Sequence, residues 1–209
     1  RVDSGQVKLA GTDRTPSTPS SPEIAAMTDQ PITSLDVLDF WWNAGPAKWF
    51  AKDDKFDKLC RDRFLAAIED AAEGKLDGWA DTADGALALL ILLDQFPRNV
   101  FRGSPKAFRA DPKAVEVAEK ALDRGFDRAF PKEARGFFYL PFEHAEDMAH
   151  QERSVDLCRV LGDTELYHYA LIHLDVIRRF GRFPHRNAVL GRQSTPEEIA
   201  YLESGGFSA

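Results

Sequence analysis

Apolar residues recur every three or four positions over most of this chain, which predicts helices nearly throughout. Thr33 and Asp36 form a capping box ahead of Val37, Leu38, Phe40, Trp41 and Trp42, and Gly45-Pro46 ends that helix. The next helix carries the stripe Phe56, Leu59, Cys60, Phe64, Ala67, Ile68 and Ala71, interrupted at Arg63 and closed by Gly74. From Thr82 to Gln95 the pattern is apolar on every side, so this helix is expected at the centre of the core, with Pro97 preventing it from continuing far. Asp111-Pro112 reads as an N-cap with proline behind it, and Gly125 closes the stripe Ala114, Val115, Ala118, Ala121, Leu122. Phe137 to Phe142, bounded by Gly136 and Pro141, reads as an extended connection, because a lone strand has no partner. Two long helices are expected over about 142–161 and 164–180, with Gly162-Asp163 as C-cap and then N-cap between them. Thr195-Pro196-Glu197-Glu198 opens a last short helix with a full capping box. The predicted fold class is all-α, built of antiparallel helical hairpins in one domain over 33–209.

Composition narrows the classes of function. Residues 1–32 are rich in Ser, Thr and Pro, lack aromatics, and read as a disordered leader or a non-native extension upstream of Met27. The longest apolar run, Ala86 to Leu93, falls far short of the roughly 20 residues that a membrane span needs. The chain has 27 basic and 34 acidic residues and a net charge of −7, which speaks against nucleic acid as a partner. Two cysteines, Cys60 and Cys158, sit among apolar neighbours in helical segments, as expected of reduced, buried thiols in a cytoplasmic protein. Adjacent Trp41 and Trp42 point about 100° apart on a helix, so one is expected in the core and the other half-exposed. No sequence pattern for a cofactor is present.

The charge is unevenly spread. Arg178, Arg179, Arg182, Arg186 and Arg192 fall in a stretch with no acid, whereas Glu143, Glu146, Asp147, Glu152 and Asp156 face only Arg153 in theirs. An antiparallel hairpin turning at Gly162-Asp163 places Glu143, His144, Glu146 and Asp147 opposite Arg178, Arg179 and Arg182. His144, Gln151 and His173 then fall on otherwise apolar helix faces. Asp147-x-x-His150 and Glu165-x-x-His168 resemble the ligand pairs of di-iron bundles, but the turn between them leaves the pairs about 20 Å apart, so no metal is assigned. Two segments leave a buried helix through Phe-Pro and present Arg and Asn: Asp94-Gln95-Phe96-Pro97-Arg98-Asn99 and Phe180-Gly181-Arg182-Phe183-Pro184-His185-Arg186-Asn187. They are expected to meet.

Two functional readings follow, beside the plainer one of a satisfied polar network that pins the hairpin. In the first, a cleft at the open end of the hairpin binds a small anionic molecule, with or without turning it over. His144 or His185 acts as acid or base, and Glu146 orients a histidine. Arg98, Arg179 and Arg182 hold the anion, with Asn99, Gln151, His173, Arg186 and Asn187 lining the site. In the second, the chain is a non-catalytic scaffold whose arginines clamp an acidic peptide or a C-terminal carboxylate. The sequence leaves the oligomeric state open.

Val37-Leu38-Asp39-Phe40-Trp41, the 94–99 and 180–187 segments, Tyr139-Leu140-Pro141-Phe142-Glu143-His144-Ala145-Glu146, Gln151-Glu152-Arg153-Ser154 and Leu190-Gly191-Arg192 together carry a resemblance. The chain from about residue 35 onward resembles a bacterial family of uncharacterised helical proteins, the domain of unknown function numbered 924. The resemblance implies a superhelical array similar to tetratricopeptide repeats, and it implies no activity.

Overall fold

The computed structural model describes residues 31–208, so the leader expected over 1–32 lies outside the described residues apart from Pro31 and Ile32. The helices are α1 (Ser34–Ala44), α2 (Pro46–Trp49), α3 (Asp54–Ala72), α4 (Ala83–Leu90), α5 (Phe96–Val100), α6 (Asp111–Asp123), α7 (Lys132–His144), α8 (Met148–Leu161), α9 (Thr164–Phe180) and α10 (Pro196–Glu203). A π turn, Ile91–Gln95, joins α4 to α5, and no strand occurs among the described residues. The all-α class read from the sequence is therefore correct.

The expected caps are present. Thr33 accepts from the Asp36 amide and Thr195 from the Glu198 amide, each in a full capping box, and Asp163 accepts from the amides of Glu165 and Leu166. Gly162 adopts φ +72°, the left-handed conformation that ends α8. Helices α7, α8 and α9 pack in succession, α8 against both neighbours.

The central helix is as buried as its pattern predicts: every residue from Gly85 to Gln95 is in the interior. As expected, the helix does not run far past Pro97, ending at Val100, but it takes Pro97 in. A proline removes one amide donor and crowds the carbonyl four residues back, here that of Leu93. The backbone answers by widening: the Phe96 amide bonds to the Ile91 carbonyl, five residues back, and helix resumes to Val100. The widened turn carries Asp94 and Gln95.

Three local expectations are corrected. Phe137–Phe142 is helical, inside α7, with Pro141 in the last turn, where it offers no amide to the Phe137 carbonyl. The helix expected from about 142 is two: α7 ends at His144, and Asp147, accepting from the His150 amide at 3.0 Å, caps α8. Asp111 is the first residue of α6, not its cap; Ala110 holds that place, and the Asp111 carboxylate turns to two arginines instead.

One large core gathers Trp41, Phe64, Phe96, Phe138 and Phe142 with the apolar side chains of α4. Trp41 is fully buried and Trp42 half-buried, as expected. A smaller core holds Val176, Ile177 and Phe183, with Met148, Phe180, Tyr201 and Phe207 against it. His173 lies on α9 between Ala170 of the large core and Val176 of the small one.

Candidate functional site

The two Phe-Pro segments do meet, and Asp111 joins them. Arg98 grips Asp111 with both terminal nitrogens, each at 3.1 Å, and Arg186 reaches the same carboxylate at 3.4 Å. Arg98 also lies 3.2 Å from Asp94, and Arg186 donates to the carbonyl of His144 at 3.1 Å. The Arg186 guanidinium lies between the rings of Phe108 and Phe183, 4.5 and 4.4 Å from their centroids.

Asp94 is buried, accepts from Gln95 at 2.5 Å, and meets Nδ1 of His144 at 2.7 Å. Burial alone would raise its carboxyl, but Arg98, His144 and these hydrogen bonds outweigh burial and hold it well below the usual carboxylate range. Burial, helped by Arg98, pushes the His144 imidazole down, so the pair is an ionised Asp94 with a neutral His144. A neutral ring facing a carboxylate through Nδ1 must carry its proton there, which leaves Nε2 as the acceptor.

Beside this pair stand Glu143 and His173. Nδ1 of His173 lies 2.8 Å from the Tyr169 carbonyl, to which it donates, and 3.2 Å from Oε1 of Glu143. Oε2 of Glu143 is buried with no partner among the described residues. Burial, and then the charge of Asp94, pushes the Glu143 carboxyl up to about 8. Burial pushes His173 down to about 3. The His144 and His173 rings are 6.1 Å apart, and one ligating atom from each of Glu143, His144 and His173 lies within 4.8 Å of the others. Phe207 packs on His173 with centroids 4.4 Å apart.

The remaining expected site residues divide. Gln151 is a brace: its amide nitrogen donates to the carbonyls of Glu143 at 2.6 Å and Ala145 at 2.8 Å, tying α8 to the end of α7. Glu146 orients no histidine. It accepts from the Phe183 amide at 2.8 Å and from both ends of the Arg192 fork at 2.6 and 2.9 Å, anchoring the 181–187 loop. His185 is half-buried between Phe183 and Phe207, and burial and Arg186 push it down to about 4. Asn187 and Arg182 tie that loop to Glu198 on α10, at 3.0 Å and at 2.7 and 2.9 Å. Asn99 bonds Asp57 of α3 at 2.8 Å, and Arg179 lies over the Tyr201 ring at the surface. Asn99 and Arg179 therefore leave the cluster that the sequence assigned them to. Three carboxyls central to it, Asp94, Asp111 and Glu143, were not among the expected site residues. The signal for Asp94 was its place four residues before Arg98 on one helix face.

The Arg182–Glu198 pair has a pH signature. The Arg182 hydrogen bonds, opposed by burial, hold the Glu198 carboxyl down at about 2. Its contribution is complete above the unfolded value of 4.5 and disappears as the pH falls towards 2. We expect the melting temperature of the parent to fall through that window, and that of Glu198→Gln to start lower and fall less steeply. Melting curves from pH 6 to 2 check this; parallel profiles would disprove it.

An all-helical protein with a buried His–carboxylate–Arg cluster at the end of one helix is the class that fold and site define. Residues 37–206 match the family described as a bacterial protein of unknown function, DUF924, and the chain belongs to it. The solved structure of ATU0120, a protein of unknown function from Agrobacterium tumefaciens, is similar, with a TM-score of 0.80 and 50% identity over 87% of this chain and 99% of that one. No curated protein matches.

Proposed function

We propose that the cluster around His144 binds a small molecule bearing an anionic group. One observation carries the reading: beside an imidazole fixed in one tautomer, the cluster keeps buried hydrogen-bonding atoms with no partner among the described residues, Oε2 of Glu143 and Nε of Arg186. Such atoms cost about 1–3 kcal/mol each, and a network kept only for stability would satisfy them. A ligand with both donor and acceptor atoms would do so. The arginines enter this reading differently from the sequence expectation, because Arg98, Arg182, Arg186 and Arg192 are each paired with a carboxylate of this chain. The reading includes a cytoplasmic location, supported by the buried free thiols Cys60 and Cys158.

Thermal unfolding against a panel of small carboxylates and phosphates tests it. A ligand at about a hundred times its Kd is expected to raise the melting temperature by about 5 °C or more. His144→Gln should stay folded and lose that shift. A shift undiminished in His144→Gln, or no shift with any compound, would overturn the assignment. A second reading, a tetratricopeptide-like superhelical scaffold for an acidic peptide, draws support from the successive packing of α7, α8 and α9 and from exposed Val160, Tyr169 and Leu171 on the last two.

A further inference from the structure

We infer that Glu143, His144 and His173 bind one divalent transition-metal ion of the zinc class. The inference deepens the small-molecule reading and rests on it for the role of the bound ion: the open coordination position is where the anionic group attaches.

An unpartnered buried carboxyl beside two imidazoles points to a bound ion. Asp94 and Asp111 are matched by Arg98 and Arg186, Glu146 by Arg192, and Glu198 by Arg182. Among the described residues Glu143 has no Lys or Arg within salt-bridge distance, and its 3%-exposed side chain keeps Oε2 unbonded. The donor set is one carboxylate oxygen and two imidazole nitrogens, which suits zinc and its neighbours and leaves a fourth position open. The tautomers suit it as well. Nδ1 of His144 is committed to Asp94 and Nδ1 of His173 to the Tyr169 carbonyl, so each ring has its lone pair on Nε2. A carboxylate behind one ligating imidazole and a backbone carbonyl behind the other are the partners that orient metal-binding histidines. One ligating atom from each of the three residues lies within 4.8 Å of the other two, a looser set than the roughly 3.4 Å spacing of donors around a bound zinc. An ion there also supplies the positive charge that the paired arginines no longer offer to an anion.

The test uses the full chain, stripped with a chelator and dialysed. Zn2+ is titrated by calorimetry, and Co2+ by visible absorption, where four-coordinate nitrogen and oxygen ligation gives intense bands. One equivalent is expected to bind, with affinity at least 100-fold lower in Glu143→Gln and His173→Gln. His150→Gln, outside the cluster, should bind as the parent does. Glu143→Gln removes no volume, and circular dichroism confirms its fold. No stoichiometric binding by the folded parent overturns the inference, as does binding that survives Glu143→Gln or is lost in His150→Gln. The two readings fail separately. Anion-induced stabilisation that persists in excess chelator keeps the small-molecule site and removes the metal. Zinc binding without any anion-induced shift keeps the metal and removes the small-molecule reading.

Discussion

Asp111→Ala is expected to destabilise the protein by about 3–5 kcal/mol, a large part of the roughly 5–15 kcal/mol that holds a domain together. The size follows from what Asp111 neutralises. Its carboxylate is shared by half-buried Arg98 and buried Arg186. Arg98 keeps Asp94, but among the described residues Arg186 has no other carboxylate within salt-bridge distance and is already pushed down to about 10 by burial and by Arg98. Removing one partner leaves a charge uncompensated in a poor solvent, which costs far more than the pair contributes. Asp111→Ala combined with Arg186→Met should therefore recover much of the loss, because the stranded charge is gone. Urea unfolding of the parent, both single variants and the double variant measures this. A loss below about 1 kcal/mol for Asp111→Ala would show that water reaches Arg186 and that the cluster is less closed than its burial indicates.

Gly85→Ala is expected to cost about 3 kcal/mol, at the upper end for adding a methyl group to a packed interior. A Cβ on Gly85 would sit 2.1 Å from the Trp79 carbonyl oxygen and 2.8 Å from Oγ1 of Thr82. The first is backbone in the 3-10 turn Asp77–Asp81, and the second is the cap that accepts the Gly85 amide at 3.1 Å. Neither can withdraw without loosening the start of α4. Because α4 leads into the π turn that presents Asp94, the variant should weaken the site as well as the fold. Denaturant midpoints read the stability. A change under about 0.5 kcal/mol would mean that the Trp79 turn shifts freely.

The sequence made the helices and their ends legible because caps are local chemistry. Thr33, Asp163 and Thr195 signal their roles within four residues. Phe137–Phe142 looks extended in the sequence because four large apolar residues, Phe137 to Leu140, stand between Gly136 and Pro141, while α7 starts earlier, at Lys132. Assigning His144 and Glu146 to α8 hid their separate roles, since the chain turns between them. The site was half legible. His144, His173 and Arg186 stand out as polar residues in apolar or structured settings. The partners of the arginines do not, because Asp111, Glu146 and Glu198 come from distant parts of the chain. Asp111 was also disguised, since Asp before Pro is a common helix start.

The π turn at Ile91–Gln95 works as a phase shifter. Each residue advances an α-helix by about 100°, so one extra residue in the turn rotates everything after it by roughly that angle relative to α4. Asp94 and Arg98 can then face α6 and α7 while the apolar residues before them keep the core. Deleting one residue from Ile91–Leu93 would restore ordinary winding at the cost of one buried aliphatic side chain, and it would swing Arg98 away from Asp111. The protein's chemistry thus depends on a count of residues as much as on their identities, and a single-codon deletion there is the smallest lesion that would keep the helix and lose the cluster.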